Sequence, residues 1–217
     1  MTDKNYSKIL DDTIAMIKRE GQRPSLLLHA CCAPCSSYTL EYLAEIFDIT
    51  VFFFNPNISP PEDYDFRLKE LERLVGEMLL PNGIKVLSGR YDPQEFYDMA
   101  KGREDIPEGG ARCYDCYRLR LRETAVVAAK HGFDYFTTTL SISPYKNAKW
   151  LNEIGEIEAE EAGVKYLFSD FKKKNGYKRS CELSEIYGLY RQDYCGCEFS
   201  KKQAEQRKKE HIVKESH

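Results

Sequence analysis

The sequence has no long apolar run, no excess of positive charge and no nucleotide-binding fingerprint. Its purely apolar stretches are short, such as Val51–Phe54, far below the about 20 residues that a membrane helix requires. The first 20 residues mix acids with bases around no apolar signal core. Export is therefore not implied, and the chain is expected in the cytoplasm with no membrane partner. A formal net charge of -3 and a pI near 5.9 argue against a general DNA-coating protein. Neither a Walker A loop nor GxGxxG follows the first strand. CCAPCSS (31–37) stands where an SGGxDS-like phosphate loop would be, which weakens an ATP-dependent reading. Repeats, low-complexity tracts and interdomain linkers are also absent.

What is present is ordinary globular composition, 42 % hydrophobic and 31 % charged, with a mean hydropathy of -0.57. The 217 residues are expected to form one domain, with 201–217 as a charged tail that frays. Apolar periodicity predicts helices over 6–19, from about Ser36 through Phe47, around Leu68–Met78, over 96–100, 114–130 and 147–162, and around Leu183–Tyr190. Strands are predicted at 25–30, 49–54, 84–87, 135–140 and 164–168, with CCAPC as a loop after the first. The alternation predicts an α/β fold: a parallel sheet with helices on both faces. The cysteine-bearing segments 91–131 and 171–200 are expected to build a helical lobe over it.

There are eight cysteines, and a chain this long needs no disulfides to hold its core. Seven fall into three tight groups, CCAPC (31–35), CYDC (113–116) and CGC (195–197), and only Cys181 stands alone. Clustered thiols in a reducing compartment point to metal or redox chemistry. CCAPC lies at the carboxyl end of a buried strand, the edge where open α/β sheets bind ligands. CCAPC and CYDC each precede or open a helix, whose positive end favours thiolate. Four thiolates suit zinc or an iron–sulfur cluster. A structural zinc site has no use for seven thiols, so the surplus favours an iron–sulfur centre over zinc or a metal-free dithiol. The ferredoxin run C-x2-C-x2-C and the radical-enzyme spacing C-x3-C-x2-C are both absent. Cys195 and Cys197 would either close a strained, labile disulfide or add two metal ligands. Cys181 reads as a packed thiol.

His29 reads as a core histidine satisfied by backbone. Arg112, beside CYDC, would grip an anion or nucleotide or face solvent. Ser143, Lys146 and Asn147 follow the fourth strand at the ligand-binding edge, as site residues or as a polar turn. Lys172, Lys173, Lys174, Lys178 and Arg179 form a run without an acid, interleaved with tyrosine. That composition suits RNA as well as a solvated face.

Five segments together resemble the QueH-type epoxyqueuosine reductases: HACCAPCS (29–36), EGGARCYDCYRLRL (108–121), FTTTLSISPYKN (136–147), SDFKKKNGYKRS (169–180) and YRQDYCGCEFS (190–200). The resemblance spans nearly the whole domain in order. It implies a Rossmann-like fold of the HUP and PP-loop class and a cobalamin-independent reduction of epoxyqueuosine to queuosine. The substrate would be the wobble base of tRNAs for Asp, Asn, His and Tyr. Carried over by motif, Cys31, Cys32, Cys113 and Cys116 would ligate a 4Fe-4S cluster, with Cys35 able to replace one of them. Cys195 and Cys197 would be a redox-active pair, or would help to hold a second, mononuclear iron. Tyr194 or nearby thiols would supply protons, the basic run would bind the anticodon arm, and an unidentified donor would supply electrons. The rival readings are a zinc-bearing RNA-binding module and a thiol redox sensor built on CGC.

Overall fold

The computed structural model describes residues 4–215. Five strands, β1 (Ser25–His29), β2 (Asp48–Phe53), β3 (Lys85–Ser88), β4 (Tyr135–Thr138) and β5 (Lys165–Tyr166), form one sheet in the order β3-β2-β1-β4-β5. All neighbours are parallel. The helices are α1 (Tyr6–Arg19), α2 (Ala33–Leu43), α3 (Pro61–Glu77), α4 (Pro93–Ala100), α5 (Ala111–Lys130), α6 (Ala148–Ala162), α7 (Gly176–Ile186) and α8 (Glu198–Glu215). None of them is long and apolar enough to cross a membrane.

β1 is the central strand, with Leu26 opposite Ile49 on one side and Tyr135 on the other. Strand side chains alternate between faces. Leu26, Leu28, Val51 and Phe53 therefore pack with α1, α2 and α3, while Leu27, Phe52, Phe54 and Phe136 pack with α5 and α6. Each fully buried side chain of this kind contributes roughly 1.5–3 kcal/mol. The result is the expected doubly wound, Rossmann-like fold. Strand order reverses between β1 and β4, so the ligand crevice of such a sheet opens at their carboxyl ends. A third, small core of Phe96, Ala100, Cys116, Cys197 and Phe199 builds the cysteine-rich lobe.

Several boundaries differ from the expected ones. CCAPC is not a loop: Cys32 is the N-cap of α2, and Pro34 lies in the first turn, where its missing N–H costs nothing. α5 begins at Ala111, so CYDC sits inside its first two turns. β4 stops at Thr138 and tightens into a 3-10 turn over Thr139–Ile142, with the Thr138 hydroxyl accepting from Leu140 N. The strand expected at 164–168 shortens to 165–166. The helix expected to reach Tyr190 stops at Ile186, and Gly188 follows at φ 57°. The segment read as a tail from 201 forms most of α8, whose Phe199 and Ala204 are buried; residues 216 and 217 lie outside the described residues.

α6 approaches β5 closely through Gly155: a Cβ there would lie 2.3 Å from the Tyr166 ring. Gly155→Ala is expected to lower stability by roughly 1–3 kcal/mol through overpacking. Thermal unfolding would show this as a drop in Tm, and an unchanged Tm would contradict the contact.

Candidate metal centre and its cavity

Cys31 and Cys32 leave β1 directly at the crevice, and α2 returns Cys35 to the same point one turn later. The three sulfurs lie within 4.8 Å of one another, and those of Cys31 and Cys32 are 3.7 Å apart. The Thr139 hydroxyl stands 3.7 Å from the Cys31 sulfur. Hydrogen bonds from Cys32 and Cys35 pull the Cys31 thiol well below its ordinary pKa, with Thr139 adding to them. The same contacts push Cys32 and Cys35 up. Three sulfurs this close, Cys32 buried and Cys31 and Cys35 half-buried, hold one negative charge readily; more requires a cation among them.

The other four thiols form a second group. Cys113 and Cys116 share one face of α5 by their i, i+3 spacing, and Cys195 and Cys197 come from the segment between α7 and α8. All four line one narrow cavity with Arg112, Arg120, Glu108 and Ser200. Burial pushes Cys116 up to about 11. Burial and then the charge of Cys195 push Cys197 up to about 12. Gly109 N donates to the Cys113 sulfur at 3.3 Å and Ser200 N to the Cys197 sulfur at 3.4 Å. The Nη2 atoms of Arg112 and Arg120 are buried without a hydrogen-bond partner. Two buried cations with unpaired donors are costly. The cost falls when thiolates around a metal replace the thiols, so this donor set fits a metal centre.

A larger cavity of about 300 Å³ opens beside the Cys31, Cys32 and Cys35 group and is also lined by Cys195, Glu108 and Lys146. Cys195 and Glu108 belong to both cavities. Lys146 Nζ donates to Glu108 Oε1 at 2.8 Å, and Ser200 Oγ donates to Glu108 Oε2 at 2.8 Å. Ser200 Oγ in turn accepts from Cys195 N at 2.9 Å. Burial pulls the Lys146 pKa down, but Cys195, Tyr117 and Glu108 together raise it above the usual lysine value. Burial pushes Glu108 up, and Lys146 outweighs it and holds the carboxyl below its ordinary value.

The remaining predicted residues fall in varied places. Ser143 lines the large cavity with Tyr145 and Tyr194. The Tyr194 hydroxyl donates to Asp63 Oδ2 at 2.9 Å, and burial, then that bond, raises its pKa. Arg112 is 1 % exposed. It donates to the carbonyls of Arg103 and Glu104 at 2.8 and 2.7 Å and lies over the Phe199 ring. Asn147 caps α6, its Oδ1 accepting from Trp150 N at 3.2 Å. In the basic run, Lys172 pairs with Asp170, Lys174 with Asp11, and Arg179 with Glu41 and Glu182; Lys173 and Lys178 are exposed. His29 is a core histidine. Its Nε2 bonds the Phe54 carbonyl at 3.1 Å and its Nδ1 the Thr138 hydroxyl at 2.8 Å. Burial, with the Arg120 charge, lowers its pKa to about 4. The residues that sequence reasoning missed are Glu108, Ser200, Arg120 and Arg67. Glu108, Arg120 and Ser200 lie inside motifs quoted above, but nothing local marks them.

A switch-point cavity walled by Cys31, Cys32, Cys35, Cys195 and a buried lysine fits an α/β oxidoreductase that works through thiols or a metal. The family model described as epoxyqueuosine reductase QueH matches residues 26–203, and the chain belongs to that family. It is 46 % identical over 200 residues to the epoxyqueuosine reductase QueH of Staphylococcus epidermidis, covering 90 % of this chain and 84 % of the relative. With the protein of that name from Streptococcus pyogenes it shares 44 % identity over 200 residues, covering 91 % and 78 %. With that from Thermotoga maritima it shares 37 % over 179 residues, covering 81 % and 90 %.

Proposed function

We propose that this chain reduces epoxyqueuosine to queuosine at the wobble position of tRNAs for Asp, Asn, His and Tyr in the cytoplasm. The observation that carries the reading is that Cys195 and Glu108 line both the cavity of the Cys31, Cys32 and Cys35 group, where Lys146 stands, and the cavity of the other thiols. Removing the oxirane oxygen breaks two C–O bonds, forms an alkene, and consumes two electrons and two protons to release water. Cys113, Cys116, Cys195 and Cys197 would hold a 4Fe-4S cluster, and Cys31, Cys32 and Cys35 a second iron. This division departs from the one the resemblance implies, and the grouping of the sulfurs around two cavities supports it. Bound there, such a centre supplies low-potential electrons from an external donor and a Lewis acid for the C–O bond.

The chain's own residues do the rest. Lys146 Nζ, charged and buried at the cavity wall, donates a proton to the departing oxygen, and Glu108 orients it. The single Tyr194 hydroxyl proton is bonded to Asp63, whereas the Lys146 ammonium has protons beyond the one it gives Glu108, which favours Lys146 over Tyr194 as the donor. An unpaired wobble base is splayed into the cavity. The cavity lies near the lower end of the range for small-molecule sites, so neighbouring nucleotides stay at its rim, where Tyr145 is 79 % exposed. Lys173 and Lys178 remain open to the phosphate backbone. Tyr145→Ala is expected to raise KM for tRNA about tenfold through lost stacking, with kcat little changed and Tyr145→Phe near wild type. An unchanged KM would remove Tyr145 from the interface.

The test of the reading is anaerobic incubation of the iron-loaded, reduced protein with tRNA carrying epoxyqueuosine, followed by nucleoside analysis. Queuosine is the expected product. Unchanged epoxyqueuosine with an intact metal centre would overturn the proposal.

A further inference from the structure

Residues 187–196 carry the Cys195 sulfur yet belong to no helix or strand. One face of α3 holds them. Asp63, Arg67, Glu70 and Arg73 recur at spacings of four, three and three, which places them on one side of the helix. Asp63 accepts from the Tyr194 hydroxyl at 2.9 Å, and Arg67 Nη1 donates to the Cys195 carbonyl at 3.3 Å. Glu70 Oε1 accepts from Tyr190 N at 2.8 Å, and Arg73 Nη2 donates to the Tyr187 carbonyl at 3.1 Å. Just ahead of α3, Ser59 N donates to the Gly196 carbonyl at 3.0 Å.

Arg67 differs from the other three. It is 5 % exposed and lines the large cavity together with Cys32 and Cys195. Its guanidinium lies 5.5 Å from the Tyr194 ring centre. With the Gln192 amide oxygen turned toward it, Nη1 also donates to that oxygen at 2.7 Å. It occupies the space where a side chain on residue 196 would stand: a Cβ on Gly196, whose φ is 112°, would lie 2.9 Å from Nη1. Among the described residues no carboxylate pairs with Arg67, and its hydrogen-bond acceptors are neutral oxygens. A buried cation of this kind requires a counter-charge; the cavity it lines holds the sulfurs of Cys31, Cys32, Cys35 and Cys195 together with the carboxylates of Asp193 and of Glu108, which is already paired with Lys146.

We propose that Arg67 is a positioning residue of the reaction centre: a buried guanidinium that fixes the Cys195 loop by its carbonyl and lends positive charge to both groups of sulfurs. The electrostatic half rests on the metal-dependent reductase reading; the positioning half rests on the geometry alone. Two readouts separate them. In metal-free protein, Arg67→Gln is expected to speed alkylation of Cys195 about tenfold, the effect of losing one charge-assisted hydrogen bond, with the rate taken per thiolate so that the lost charge does not mask the freed loop. Arg67→Lys, which restores charge without the planar fork, leaves that increase in place. In iron-loaded protein, Arg67→Gln shifts the midpoint potential of the centre downward, because a lost cation disfavours the reduced state, and Arg67→Lys restores it. Gly196→Ala, which strains the loop and crowds the guanidinium with Arg67 intact, reproduces the faster alkylation.

Wild-type alkylation rates in both Arg67→Gln and Gly196→Ala would overturn the positioning role. An unmoved potential in Arg67→Gln, or a rise in KM for tRNA as its sole change, would overturn the electrostatic role. Should the wild-type chain bind no iron, the reductase reading fails while the alkylation measurement still decides whether Arg67 holds Cys195.

Discussion

Replacing any one of Cys113, Cys116, Cys195 or Cys197 by serine is expected to abolish the visible charge-transfer absorption and the acid-labile sulfide of the purified protein. Replacing Cys31, Cys32 or Cys35 is expected to leave both in place and to release one iron per chain. Reductase activity falls by at least about a thousandfold in all seven variants, because either loss removes the electron path or the Lewis acid. The asymmetry follows from the geometry. Cys31, Cys32 and Cys35 share a site with sulfurs within 4.8 Å, whereas the other four line a different cavity beside Arg112 and Arg120. Iron and sulfide analysis of protein purified without oxygen checks the series. A Cys31 or Cys32 variant without sulfide, beside a Cys195 variant that keeps it, would restore the allocation implied by the motifs and refute the one argued from the cavities.

Lys146→Met is expected to lower kcat by roughly 10²–10⁴-fold, the range for loss of a general acid, with KM for tRNA within about threefold of wild type, since a group acting mainly in the transition state leaves ground-state binding nearly intact. Lys146 is 8 % exposed, so the substitution also strands the Glu108 carboxylate. Stability should fall by about 3 kcal/mol, at the low end for buried pairs because the Glu108 side chain keeps 18 % exposure. The double variant Lys146→Met with Glu108→Gln removes the stranded charge. It should recover most of the stability and none of the activity. A double variant that regains turnover would show that Lys146 acts only as scaffolding.

The pair also sets a pH window. Glu108 lies below its ordinary 4.5 in the folded chain, so its contribution is present above that value and lost as pH falls through the lower folded one. Lys146 lies above its ordinary 10.5, so its contribution is present below 10.5 and lost as pH rises through the higher folded one. The stability gap between wild type and Lys146→Met should therefore hold from neutral pH up to about 10 and close at acid pH, as the stranded Glu108, raised by burial once Lys146 is gone, takes up a proton.

The sheet and its crevice were readable because a buried parallel strand writes itself as an apolar run, and Ser25–Ala30 is one. The position of CCAPC at the carboxyl end of that strand followed at once. Its helical character did not, because Pro34 reads as a breaker and is harmless only in a first turn. The basic run 172–179 looked free of acids because two of its partners, Asp11 and Glu41, lie far away in the chain on α1 and α2 and two others, Asp170 and Glu182, just outside its ends. The charged face of α3 has the same origin. Nothing local marks Asp63, Arg67, Glu70 and Arg73, and only the folded chain brings residues 187–195 against them. Cysteine spacing announced a metal centre but could not say which groups meet. CCAPC and CYDC look alike as pairs, whereas the fold joins CYDC with CGC and leaves CCAPC to close on itself.

The most direct test of two metal sites in adjoining cavities is the iron and acid-labile sulfide content of the full-length wild-type protein purified without oxygen. The account expects about five iron and four sulfide per chain, the sum of a cubane on four thiols and one iron on three. Zinc without sulfide, or four iron with four sulfide and no further metal, would contradict it.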